Sequence, residues 1–154
     1  MNKYIGVDIS KNDFYACFAE ASEPIMFQNN IEGIKTFERY LKKNNFEKEA
    51  TVIGVESTGI YHLPMSYNMT QAGFTVNVIN PLIVKKQNQI SLRRVKNDKK
   101  DASLIRYCTA NKAGYKFIDT DETLTLKSLV RQRDSLANLK NVLNRKQDAV
   151  SYKE

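Results

Sequence analysis

The sequence predicts an α/β domain: a mixed five-stranded sheet, three antiparallel strands continuing into two parallel ones, flanked by helices and followed by a long C-terminal helix. Three observations carry that expectation. Residues 3–28 fall into short β-prone runs separated by polar turn formers. The middle of the chain switches between helical periodicity and near-continuous apolar strands, and residues 121–150 contain neither glycine nor proline.

Residues 3–9 and 14–20 are apolar β-prone runs joined by Ser10-Lys11-Asn12-Asp13, and Pro24-Ile25-Met26-Phe27-Gln28 completes a meander. Asn30 then caps a helix in which Ile34, Phe37 and Leu41 recur at helical spacing, ending at Asn44-Asn45. Thr51 to Val55 reads as a central strand covered on both faces, and a helical segment from Thr58-Gly59 reaches Ala72-Gly73. Thr75 to Ile79 returns as a parallel strand. Asn80-Pro81 ends it, because proline cannot donate to a ladder and restrains its predecessor.

From Lys85 to Lys100 the chain turns basic, with Lys85, Lys86, Arg93, Arg94, Lys96, Lys99 and Lys100. A helix from about Asp98 to Ala113 sets Ala102, Ile105 and Cys108 or Thr109 on one face, with Gly114 as its stop. Tyr115 to Thr120 reads as a linker. Beyond it, Leu129, Leu136, Leu143 and Val150 recur every seven residues, and Leu126 and Leu139 widen the stripe. Gln132 and Lys146 interrupt the second seam, which argues against a perfect two-stranded coil and for packing on the helix's own domain or a missing one. The expected division is a domain at 1–114 and a linker with a helical or coiled-coil segment at 115–154, leading to a further domain.

At 154 residues and a formal charge of +7, the chain suits one cored domain plus an extension and favours polyanionic partners. Cys17 and Cys108 lie in apolar runs with no CxxC, which reads as two buried thiols rather than zinc or a disulfide framework. No stretch approaches the roughly 18 apolar residues of a membrane span, and a cytoplasmic setting fits.

Four acids carry the chemistry. Asp8 follows Tyr4-Ile5-Gly6-Val7, Glu56 follows Thr51-Val52-Ile53-Gly54-Val55, and Asp98 and Asp101 lie three apart on one helix face. Hard oxygen donors in that number suit two Mg²⁺ ions flanking a phosphodiester. The bland alternatives stay open: Asp8 as a turn cap, and Asp98 and Asp101 as a helix cap and a first-turn acid. His62, the sole histidine, reads as a packed or surface residue. Ser57 and Thr58 suit either orientation of Glu56 or a strand-to-helix turn. Placed just before the acidic pair, the basic segment reads as a phosphate-binding face.

The segments Tyr4-Ile5-Gly6-Val7-Asp8-Ile9-Ser10-Lys11, Gly54-Val55-Glu56-Ser57-Thr58-Gly59-Ile60-Tyr61, Asn80-Pro81 and Lys96-Asn97-Asp98-Lys99-Lys100-Asp101-Ala102, in that order, resemble the DEDD insertion-sequence transposases, relatives of site-specific DNA invertases. The resemblance covers about residues 3–113. It implies a RuvC-like, ribonuclease-H-like fold and a DNA recombinase, with Asp8, Glu56, Asp98 and Asp101 as ligands of Mg²⁺ or Mn²⁺. It also implies DNA as substrate, a structured guide RNA as partner, and a C-terminal domain bearing a nucleophilic serine. The C-terminal helix would make homo-oligomers.

A rival reading is a non-catalytic nucleic-acid-binding and dimerisation module in which the acids only cap. A third, a nucleotide-dependent kinase of the actin-like fold, is least favoured because glycine-rich phosphate loops are missing.

Overall fold

The computed structural model describes the backbone of residues 2–20, 22–57, 59–90 and 98–151, and within these the side chains other than those of residues 90, 98–100 and 148–151. The elements in chain order are β1 (Lys3–Ile9), β2 (Asp13–Cys17), β3 (Ile25–Gln28), α1 (Ile31–Lys43), β4 (Thr51–Glu56), α2 (Leu63–Gln71), β5 (Thr75–Ile79), α3 (Pro81–Ile90), α4 (Asp98–Ala110), β6 (Tyr115–Lys116) and α5 (Asp121–Ser151). By contact the chain divides into a unit at Met1–Ile118 and a second at Asp119–Glu154.

Among the described residues the first unit holds one sheet in the order β3-β2-β1-β4-β5-β6. β1, β2 and β3 are antiparallel neighbours, whereas β1, β4 and β5 run parallel. Helices return the chain between the parallel strands, as a parallel pair requires. This is the mixed α/β arrangement expected from the sequence, with antiparallel strands continuing into parallel ones.

Strand alternation sends Ile5, Val7, Phe14, Ile53, Val55, Val76 and Val78, all essentially buried, to one face of the sheet. There α1 lays down Ile34, Phe37 and Leu41, starting from Asn30, whose Oδ1 accepts from the Gly33 amide at 2.8 Å. Phe37 stands edge-on to Phe14 and Phe27, at 5.4 and 5.2 Å between ring centroids. The opposite face is covered by α4, where Ile105 and Cys108 pack with Ile79 and Val84.

Three expectations change. The sheet has a sixth strand where a linker was expected: β6 pairs antiparallel with β5, Tyr115 opposite Val78, and Phe117 follows into the core. Two exposed residues carry no alternation to read. Pro81 ends β5 but also opens α3, with Asn80 Oδ1 accepting from the Leu82 amide at 2.8 Å, because proline lacks only a donor that the first helical turn leaves unused. β2 stops at Cys17, and Phe18 turns out to pack on Tyr40 and Phe46.

In the second unit, Thr120 and Thr123 cap the start of α5 reciprocally, the Thr120 amide donating to Thr123 Oγ1 at 2.8 Å. Along α5 the side chains of Leu126, Leu129, Leu136, Leu139 and Leu143 are exposed.

Candidate metal and nucleic-acid site

Asp8 and Glu56 come together through strand register. β1 and β4 pair in parallel with Gly6 opposite Gly54 and Val7 opposite Val55. One residue further, Asp8 stands beside Glu56 on neighbouring strands about 4.8 Å apart. Both acids share the face of their glycines two positions earlier, and both are half-buried.

That face belongs to α4, and the two glycines are why the helix comes so close. A Cβ on Gly6 would run into the backbone of Ala102 and Arg106, and one on Gly54 into the Thr109 side chain. The Arg106 guanidinium donates through Nε to the Tyr4 carbonyl at 3.1 Å. Gly6 thus lies under both Ala102 and Arg106, one helical turn apart, and the Arg106 side chain reaches from there to Tyr4. Asp98 opens this helix, one turn before Ala102. Asp101 lies in the same first turn and is half-buried.

Glu56 is felt on this helix. The Cys108 thiol is pushed above its ordinary value of 9.0, first by burial, which its backbone hydrogen bond partly offsets, and least by the negative charge of Glu56. Cys17 is likewise buried, its Sγ 3.3 Å from Ser103 Oγ, and both cysteines are free thiols. Ser57 is turned away from Glu56: its amide and hydroxyl both donate to the Ile79 carbonyl, at 3.0 and 3.3 Å, which splices the loop onto β5. His62 is buried at the start of α2.

Among the described residues no three His, Cys, Asp or Glu side chains form a cluster able to hold a metal ion. The side chain of Asp98 lies outside the described residues, as do those of Lys99 and Lys100 and the whole of Arg93, Arg94 and Lys96. Lys85 and Lys86 are exposed on α3. No helix among the described residues is long and apolar enough to cross a membrane. Sequence reasoning missed Arg106 and the function of the two glycines, although the repeated triplet Gly-Val-acid, at 6–8 and 54–56, carried the signal.

A family model of IS110-type DEDD transposases, described as a transposase, matches residues 5–150. The chain belongs to that family. The pilin gene-inverting proteins of Moraxella bovis and Moraxella lacunata are each 28% identical to this transposase-family chain over 134 residues, 85% of its length and 42% of theirs. The chain thus spans under half the length of these relatives. Among solved structures, T. thermophilus RuvC in complex with a Holliday junction substrate is similar at a TM-score of 0.45 and 11% identity, covering 76% of this chain and 100% of that one.

For a DEDD transposase the donor set fits a hard divalent cation. Among the described residues Asp8, Glu56 and Asp101 would offer it carboxylate oxygens, from two adjacent strands and the first turn of α4, rather than the thiolates or imidazoles that favour a softer ion. Cys108, the nearby sulfur, is kept protonated by its surroundings.

Proposed function

We propose that this chain is the metal-dependent catalytic domain of a DNA transposase or recombinase, part of a longer enzyme. Asp8 and Glu56 would hold two Mg²⁺ or Mn²⁺ ions from the sheet, and Asp98 and Asp101 from α4. Bound there, such ions supply a nucleophile activated at neutral pH and neutralise charge on a phosphodiester during cleavage and transfer. The protein's own part is to bring four anionic side chains to one place against their mutual repulsion. A fixed strand register and a helix seated on glycine would serve that end. The observation that carries the reading is the alignment of Asp8 with Glu56 on the α4-covered face.

DNA is the partner this reading requires, in the cytoplasm, and the family resemblance extends it to a structured guide RNA. Lys85 and Lys86, exposed on α3, together with Arg93, Arg94, Lys96, Lys99 and Lys100, would bind phosphates near the carboxylates. The exposed leucines of α5 suit homo-oligomerisation.

The test is Mn²⁺ affinity of the parent chain, Asp8→Asn and Asp101→Asn. Each substitution is expected to weaken binding at least tenfold, as loss of a ligand does. Equal affinity in all three would remove the metal reading. If Asp101→Asn also kept normal, salt-sensitive DNA binding, the non-catalytic module would stand in its place.

A further inference from the structure

The loops that follow Asp8 and Glu56 are tied together by one side chain. Asn29 lies between β3 and α1. Its Nδ2 donates to the Ser10 carbonyl at 2.8 Å and to the Tyr61 carbonyl at 3.1 Å, while its backbone amide donates to the Asn12 carbonyl at 2.8 Å. Ser10 and Asn12 belong to the turn just after Asp8, and Tyr61 belongs to the loop between Glu56 and α2.

A carboxamide has two N–H donors, and here both are used on carbonyls from segments far apart in the chain. Those two acceptors also decide which end of the amide faces the loops, since the reverse would set oxygen against oxygen. The Asn29 oxygen is buried and has no hydrogen-bond partner among the described residues, so the side chain is held for its donors.

The frame around Asn29 is hydrogen-bonded on its β1 and α1 sides. On the β1 side, the Ser10 amide donates to the Asp13 carbonyl at 2.9 Å and the Ser10 hydroxyl lies 2.6 Å from Asp13 Oδ1. On the α1 side, the adjacent Asn30 caps the helix. The β4–α2 loop, by contrast, passes through Gly59 at φ +60° and exposes Ile60 and Tyr61. Asn29 therefore ties the turn after β1 to the loop that leads into α2.

We propose that Asn29 is a positioning residue of the carboxylate centre. It fixes the loop after β4, and through it the strand end that carries Glu56, against the turn after Asp8. The role rests on the metal-binding reading above, and Asn29 acts through these loops rather than as a ligand.

The experiment titrates Mn²⁺ alone into the 154-residue chain, well below its unfolding temperature, reading free ion by its paramagnetic resonance signal. Hydrogen exchange at the amides of Ile60, Tyr61 and His62 is measured alongside. Asn29→Asp keeps the shape and removes both donors, and Asn29→Ala removes them without adding charge. Both are expected to lower Mn²⁺ affinity about tenfold, as loss of a support behind a metal ligand does, and to speed exchange in the loop. Asp8→Asn, the control, loses binding while the loop exchanges at the parent rate.

A merely architectural Asn29 would lower the unfolding midpoint and leave the affinity of the folded chain unchanged. Parent-like affinity in both Asn29 variants, with binding lost in Asp8→Asn, overturns the positioning role and leaves the metal reading standing. Parent-like affinity in Asp8→Asn overturns both.

Discussion

Phe37 on α1 and Leu136 on α5 are both large apolar residues on helices, yet one is fully covered and the other is 66% exposed. The first unit closes its apolar faces on themselves, with α1 against one side of the sheet and α4 against the other. The second is a 31-residue helix whose leucine stripe is open along its length. A buried stripe holds the fold, whereas an open one is a surface kept for something else. Helical periodicity alone does not tell the two apart.

Truncation separates the two regions most sharply. Phe37→Ala removes a ring that touches Phe14 and Phe27 and is expected to cost about 3–5 kcal/mol of unfolding free energy by urea titration. Leu136→Ala should change the same quantity by less than about 0.5 kcal/mol while weakening self-association in sedimentation. A large loss of intrinsic stability in the second variant would mean that α5 is part of a core after all.

A smaller effect distinguishes the two faces of the sheet. Gly6→Ala sets a methyl against the backbone of α4, where no side-chain rotation gives relief, and should cost about 1–3 kcal/mol. A neutral result, with α4 amides still protected from exchange, would mean that the helix does not sit tightly on β1.

The smallest expected effect concerns Cys108. Its pKa is raised on folding, so the folded chain holds this proton more tightly than the unfolded chain. The stability it contributes is complete below the ordinary value of 9.0 and is lost as pH rises from there through the folded value. Alkylation should accordingly be slow at neutral pH. Glu56→Gln, which removes an upward push, should make Cys108 react at a somewhat lower pH, and unchanged reactivity would separate Glu56 from this helix.

Much of the first unit was legible because its signals are local. Asn30 before Ile34, Phe37 and Leu41 marks α1, and Thr51 to Val55 reads as a strand covered on both sides, as found. β6 escaped because two exposed residues have no period. α3 escaped because Pro81, read as a stop, is also a start. Both strand-borne acids could be picked from their place after apolar runs, but their alignment depends on a register between strands more than forty residues apart, which no local pattern encodes. Nothing in the sequence singled out Asn29, since its two acceptors are carbonyls and backbone oxygens leave no mark in a sequence.

The hydrogen bond from Arg106 to Tyr4 spans 102 positions of chain, and that distance has a temporal meaning. During synthesis, which proceeds from the N-terminus, a nascent chain that has emerged only through β5 carries Asp8 and Glu56 but neither acid of α4, and its glycine-lined surface is still bare. That face closes only once the helix that rests on Gly6 and Gly54 has been made.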